Sequence, residues 1–207
     1  MDRHGRSLQR SLSDAVRRSR GSLVVRVGVI CFANTCRSPV AESLLVRFLA
    51  GEDGVEVFSR GVAGGPGSTP EAMLQALTQN GLSLVSVSGE QLVSDDLHAD
   101  LYLFMERSIL REAVVRNPSM WPKSFTMREF ARRAQLNPPE RDSETFAEWL
   151  AVVHGTRRRE ELLGTDSEDD VRDPGLGGDL EAFNAMISEL DLLSHKVAQI
   201  LTGWPSR

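Results

Sequence analysis

Cysteine is scarce in this chain, with 2 among 207 residues, too few to staple a small secreted scaffold. Cations are not in surplus either: 24 Lys and Arg stand against 29 Asp and Glu, for a net charge of −5. That balance excludes nucleic-acid binders that work through an excess of Lys and Arg, so no nucleic-acid partner is expected. No apolar run approaches the ~20 residues that a membrane-spanning helix needs. The stretch Met1 to Arg20 is too polar for a signal-peptide core. His4, His98, His154 and His195 are dispersed, without His-x3-His or paired-Cys spacing, so no metal and no other cofactor is expected. A Gly-x-Ser-x-Gly elbow is missing too, which excludes a serine hydrolase of that type. What is present is an ordinary hydrophobic fraction of 41%, at a length that suits one domain with a buried core. The expectation is a cytoplasmic, globular protein with reduced thiols.

The first 22 residues are rich in Arg and Ser and read as a mobile basic tail. The spacing by four of Leu8, Leu12 and Val16 leaves a short amphipathic helix as the alternative. From residue 23 to 207 the chain reads as one α/β domain. Leu23 to Ile30 is a nearly continuous β-branched run, the mark of a strand buried on both faces of a parallel sheet. A helix follows over Val40 to Ala50, with Pro39 in its first turn, where a missing N–H costs nothing. Further strands are expected at Val55 to Ser59, Leu101 to Met105 and Ser124 to Met127. Helices are expected at Pro70 to Asn80, after the third strand through Arg116, and at Arg128 to Gln135. Strand and helix in alternation predict a doubly wound sheet that binds ligand at the carboxyl ends of its strands. Residues 137–170 are heavily charged around an apolar island, Phe146 to Val153, and read as a surface insertion with one or two helices. Arg157 to Arg159 within it read as a solvated helix face. The last helix, Asp179 to Leu201, carries a core-facing stripe from Leu180 to Ile200.

The segment with chemistry is Cys31-Phe32-Ala33-Asn34-Thr35-Cys36-Arg37-Ser38, directly between a buried strand and a helix. Successive backbone N–H groups on such a loop can converge on one point, and the helix start adds its positive end, so the loop is a nest for a tetrahedral dianion. A thiol at its floor is favoured as thiolate by the same amides and by the nearby cation. Ser38 can donate a hydroxyl to that sulfur. Arg37 can curl back and grip two equatorial oxygens with its planar fork. Thiolate, amides and guanidinium together make a phosphoryl-transfer site that needs no metal.

The run VGVICFANTCRSPVAE resembles the phosphate-binding loop of the low-molecular-weight protein tyrosine phosphatases, V-C-x-x-N-x-C-R-S-P-x-A-E. Ser59-Arg60-Gly61 and LYLFMER resemble the family's next two strand segments. The resemblance implies a flavodoxin-like, four-stranded parallel sheet flanked by helices on both faces. It implies a phosphatase that hydrolyses phosphomonoesters, protein phosphotyrosine by default, through a cysteinyl-phosphate. Cys31 would be the nucleophile, Arg37 the phosphate clamp, and Asn34 the left-handed residue that turns the amides inward. Cys36 would be a thiol able to form a reversible disulfide with Cys31; plain packing explains it equally well. The general acid would come from the Asp-Pro loop before the last helix, here Asp173-Pro174, with Asp169 and Asp170 close by.

The sequence also departs from the family. The residue after Asp-Pro is Gly175 where an aromatic is usual, and Val62 to Thr69 lacks the aromatic that normally stands opposite. The usual His-x-Ala-Arg is replaced by Ser86 to Glu90 (SVSGE), which leaves Ser59 as the residue to hold Asn34. Thr35 resembles the phosphoarginine-specific branch. The alternatives are therefore a protein arginine phosphatase or a phosphate-binding regulator without turnover. A thiol-coupled arsenate reductase would need more cysteines than these two. Expected partners are a phosphorylated protein or a small phosphomonoester, and phosphate or another oxyanion in the site.

Overall fold

A computed structural model describes residues 24–63, 69–85, 89–140, 144–164, 168–202 and 204. The expected basic tail lies outside the described residues, as do positions 64–68 and 86–88 of the two loops that depart from the family pattern. Four strands, β1 (Val25–Cys31), β2 (Val55–Gly61), β3 (Leu101–Phe104) and β4 (Ser124–Thr126), form one sheet in the order β2-β1-β3-β4. All three pairings are parallel. Among the described residues seven α-helices accompany them: α1 (Arg37–Phe48), α2 (Glu71–Gln79), α3 (Arg107–Arg116), α4 (Met127–Leu136), α5 (Phe146–Gly155), α6 (Arg159–Leu163) and α7 (Leu180–Leu201).

Alternation along the strands sorts the core into two layers. Val25, Val27, Val29 and Cys31 of β1 and Leu101 and Leu103 of β3 face a large cluster that takes in α1, α2, α4, α5 and α7. Ile30, Tyr102 and Phe104 face the opposite side, where Ile109, Leu110, Ala113 and Val114 of α3 cover them. Helices on both faces are what a strand such as β1, buried nearly throughout, requires. The chain leaves β1 for β2 on one side and returns to β3 on the other. The carboxyl end of β1 is therefore the topological switch point, where open α/β sheets bind ligands.

Two expectations need correction. Helix α1 starts at Arg37, three residues before the expected Val40, with Cys36 at its N-cap and Pro39 still inside its first turn. The loop therefore ends within the helix and shares its first N–H groups. The charged insertion is also more than a surface element. Phe146, Trp149, Leu150 and Val153 of α5 are buried with Phe130 and Trp204 in the larger core cluster. Arg157 is not on a solvated face: its side chain is fully buried. It lies 3.6 Å over the Trp121 ring and 4.4 Å over the Phe125 ring, paired with the equally buried Glu129. Stacking and pairing together make burial of a guanidinium tolerable.

Candidate active site

The loop after β1 folds back on its own first residue. Asn34 takes φ 54°, the one left-handed non-glycine residue among those described, a conformation Asn tolerates because its short side chain bonds locally. The turn sends its backbone N–H to Cys31 Sγ at 3.2 Å. Ser38 Oγ donates to the same sulfur at 3.0 Å. Asn34 Nδ2 donates to Ser38 Oγ at 3.0 Å and to Ser59 Oγ at 2.8 Å. Ser59 in turn donates to Glu42 Oε2 at 2.7 Å. The direction of the hydrogens matters: Asn34 fills a lone pair on Ser38, which leaves that hydroxyl's proton for the sulfur. Two donors thus reach Cys31 directly, the Asn34 N–H and the Ser38 hydroxyl, while the Asn34 carboxamide, the Ser59 hydroxyl and the Glu42 carboxylate behind them fix their orientation.

Other parts of the chain hold the hub in place. Asn34 Oδ1 accepts from the Glu90 N–H at 3.2 Å and its carbonyl from the Gly89 N–H at 2.7 Å. These backbone donors, with Ser59, surround Asn34 in this chain, where the family's His is absent. Gly61, the last residue of β2, has no side chain because the loop lies against it. A Cβ there would stand 2.7 Å from the Phe32 carbonyl oxygen and 2.8 Å from Asn34 N.

Arg37 is only 2% exposed. Its guanidinium donates to the Val171 carbonyl at 3.1 Å and to Asp173 Oδ2 at 2.5 Å, and it pairs with Glu106. A guanidinium has five N–H donors, so donors remain for an oxyanion above the loop. Asp173 also accepts from the Gly175 N–H at 2.9 Å. Of the three neighbouring aspartates, Asp173 alone meets Arg37. Asp169 pairs with Arg107 and Arg132, and Asp170 accepts from the Arg107 N–H. Burial pushes the Asp170 carboxyl up from its ordinary value.

The structure places Cys31, Asn34, Ser38 and Ser59 in one hydrogen-bond network, and Arg37, the residue before Ser38, in a second set of contacts with Asp173 and Glu106. Phe32 is half exposed at the mouth, while Ala33 is partly covered and Thr35 is buried. Cys36 is a buried free thiol, with burial, the largest influence on it, pushing it up. Sequence reasoning missed Glu42 and the Arg37–Glu106 pair. Both acids stand in segments already singled out, the Ala-Glu after Ser-Pro and the Met-acidic pair after β3. Without the fold, however, neither has a visible partner.

Sheet and loop together define a flavodoxin-like phosphatase scaffold. The chain belongs to the low molecular weight phosphotyrosine protein phosphatase family, which it matches over residues 26–163. It is 29% identical over 134 residues to a probable low molecular weight protein-tyrosine-phosphatase, EpsP, of Ralstonia solanacearum, covering 63% of this chain and 90% of that one. It is 28% identical over 180 residues to a protein-arginine-phosphatase of Geobacillus stearothermophilus, covering 85% and 95%. Among solved structures it resembles the tyrosine phosphatase Wzb of Escherichia coli K30 in complex with sulphate. That match has a TM-score of 0.59 at 25% identity and covers 86% of this chain and 99% of that one.

Proposed function

We propose that the protein hydrolyses phosphomonoesters, with phosphotyrosine on proteins as the default substrate, through a phosphocysteine at Cys31. The observation that carries this reading is the meeting of Arg37 with Asp173, 2.5 Å apart across 136 residues of sequence, beside the loop that surrounds Cys31. An incoming phosphate dianion takes over the Arg37 guanidinium from Asp173 and accepts from the loop amides. Cys31 Sγ attacks phosphorus in line; the S–P bond forms as the P–O bond breaks. The electron pair leaves with the ester oxygen, which takes a proton from Asp173. Water then attacks the phosphocysteine and gives its proton back to Asp173, and the electron pair of the S–P bond returns to sulfur.

The test is a Cys31→Ser variant. It is expected to lose turnover of aryl phosphates by at least about a thousandfold and still to bind inorganic phosphate in calorimetry. Retained turnover would remove Cys31 as the nucleophile, and a wild type that binds phosphate without turnover would favour the regulatory reading.

A second reading, a protein arginine phosphatase, is favoured by Thr35 in the loop, by Gly175 where an aromatic wall would stand, and by the likeness to the Geobacillus enzyme over most of the chain. Parallel assays on phosphotyrosine and phosphoarginine peptides separate the two by their ratio of kcat/KM.

A further inference from the structure

The charged run that ends the insertion has a task the reaction does not yet use. We propose that Asp169, held between Arg107 and Arg132, is a positioning residue that sets the height of the general acid Asp173; this rests on the reaction proposed above. Asp169 Oδ2 accepts from Arg107 Nη2 at 2.6 Å, and both its oxygens accept from Arg132 Nη2, at 3.1 and 3.0 Å. The next residue, Asp170, accepts from the Arg107 backbone N–H at 2.7 Å, and the Val171 N–H donates to the Met105 carbonyl at 2.8 Å. Three consecutive residues are thus tied to the turn between β3 and α3. The same turn supplies Glu106, the other carboxylate on Arg37.

The anchor is itself fixed from below. Arg107 is nearly buried and donates to the Glu161 carbonyl of α6 at 2.8 Å. Arg133 pairs with both Glu161 and the buried Glu129, and Glu129 also receives Arg157. A chain of charges runs from the core of the insertion to within four residues of Asp173. Such a chain transmits position because each buried charge is costly to leave unpaired. General-acid transfer is sensitive to position, since an error of about 1 Å can cost a hundredfold. Cutting the strut should therefore harm only the proton transfer.

The experiment compares wild type, Asp169→Asn, Asp169→Glu and Arg132→Gln on phenyl phosphate, which needs a protonated leaving group, and on p-nitrophenyl phosphate, which hardly does. Asp169→Asn is expected to lower kcat on phenyl phosphate about tenfold and on the nitrophenyl ester less than about twofold. KM should stay unchanged, and Asp169→Glu should regain most of the loss. Equal losses on both esters, or wild-type rates on both, would overturn the proposal while leaving the reaction standing. A wild type inert on both esters would overturn both. Should Asp169→Asn fail to melt cooperatively, Arg132→Gln decides, because that side chain is mostly exposed. It should show the same selectivity, about two- to threefold on phenyl phosphate alone, and an unselective result would overturn the proposal.

Discussion

The two loops that meet at Arg37 are held in different ways. The phosphate loop closes first on near neighbours: Asn34 reaches Cys31 over three residues and Ser38 over four, and Ser38 reaches Cys31 over seven, all of them buried, with Ser59, Gly89 and Glu90 bracing Asn34 from farther along the chain. The acid loop leaves the Asp173 side chain 45% exposed, and its anchors come from far along the chain. Arg37 lies 136 residues away and Arg107 lies 62 and 63 away. A loop closed on itself by buried bonds has few alternative conformations. A loop held by distant side chains can shift when one of them is lost, at little cost to the fold. The first kind of loop suits a nucleophile and an oxyanion cradle, which must not move. On the reaction proposed above, the second suits an acid that must give up Arg37 when the dianion arrives.

The sharpest way to break this contrast is to damage each loop and compare what is lost. Asn34→Ala removes the hub of the first loop and leaves at φ 54° a residue without the local side-chain bonds that let Asn tolerate that conformation, a cost of about 1 kcal/mol or more. The loop amides then lose their common aim. We expect kcat to fall about a thousandfold on every ester, whatever its leaving group, in steady-state assays across an aryl phosphate series. Asp173→Asn should act selectively instead. It should cost about a hundredfold on phenyl phosphate and only a few-fold on p-nitrophenyl phosphate, which would appear as a steeper dependence of rate on leaving-group acidity. If both variants gave the same profile, the two loops would not differ in the way described.

The same contrast decides what could be read from the sequence. Strand β1 and the Cys31–Ser38 loop are encoded side by side, so composition and spacing expose them, although α1 begins three residues earlier than the sequence suggests because the loop's last residues already belong to it. Asp173-Pro174 is legible through its place before the final helix, yet nothing local marks which cations steady it. The insertion was the least legible part. Its Arg-Arg-Arg-Glu-Glu run reads as solvated because charge runs usually are. The burial of its first residue, Arg157, depends on Trp121, Phe125 and Glu129, which lie roughly thirty residues earlier in the chain. Glu42 escaped notice for a like reason, since a Glu on an amphipathic helix is unremarkable until β2 brings Ser59 against it.

That buried charge gives a way to sharpen the comparison through stability instead of rate. Burial pulls the Arg157 guanidinium down to about 10, against the opposing pull of Glu129, so it is still charged at neutrality. Arg157→Met keeps the stacked volume and removes one of Glu129's cations, while Arg133 remains to pair the carboxylate. The expected loss is about 2 kcal/mol in urea denaturation, below the range for orphaning a buried charge outright. The rate on p-nitrophenyl phosphate should hardly change.

A smaller effect follows at the neighbouring imidazole. His154 sits edge-on to Trp121, with Arg157 Nη1 3.5 Å from its Nδ1. Burial first, and then the Arg157 cation, hold its imidazolium below the ordinary value. In the window just under about 6.5 the unfolded chain therefore binds more proton than the folded one, so stability rises with pH across that window and falls as the solution is acidified. His154→Gln should flatten this limb by less than about 1 kcal/mol. In the Arg157→Met background the limb should be shallower from the start, because the larger of the two cations that lower His154, Arg157 ahead of Arg133, is gone. Urea midpoints measured between pH 5 and pH 7.5 would check both, and an acid limb indifferent to His154 would assign that pH dependence to the carboxylates instead.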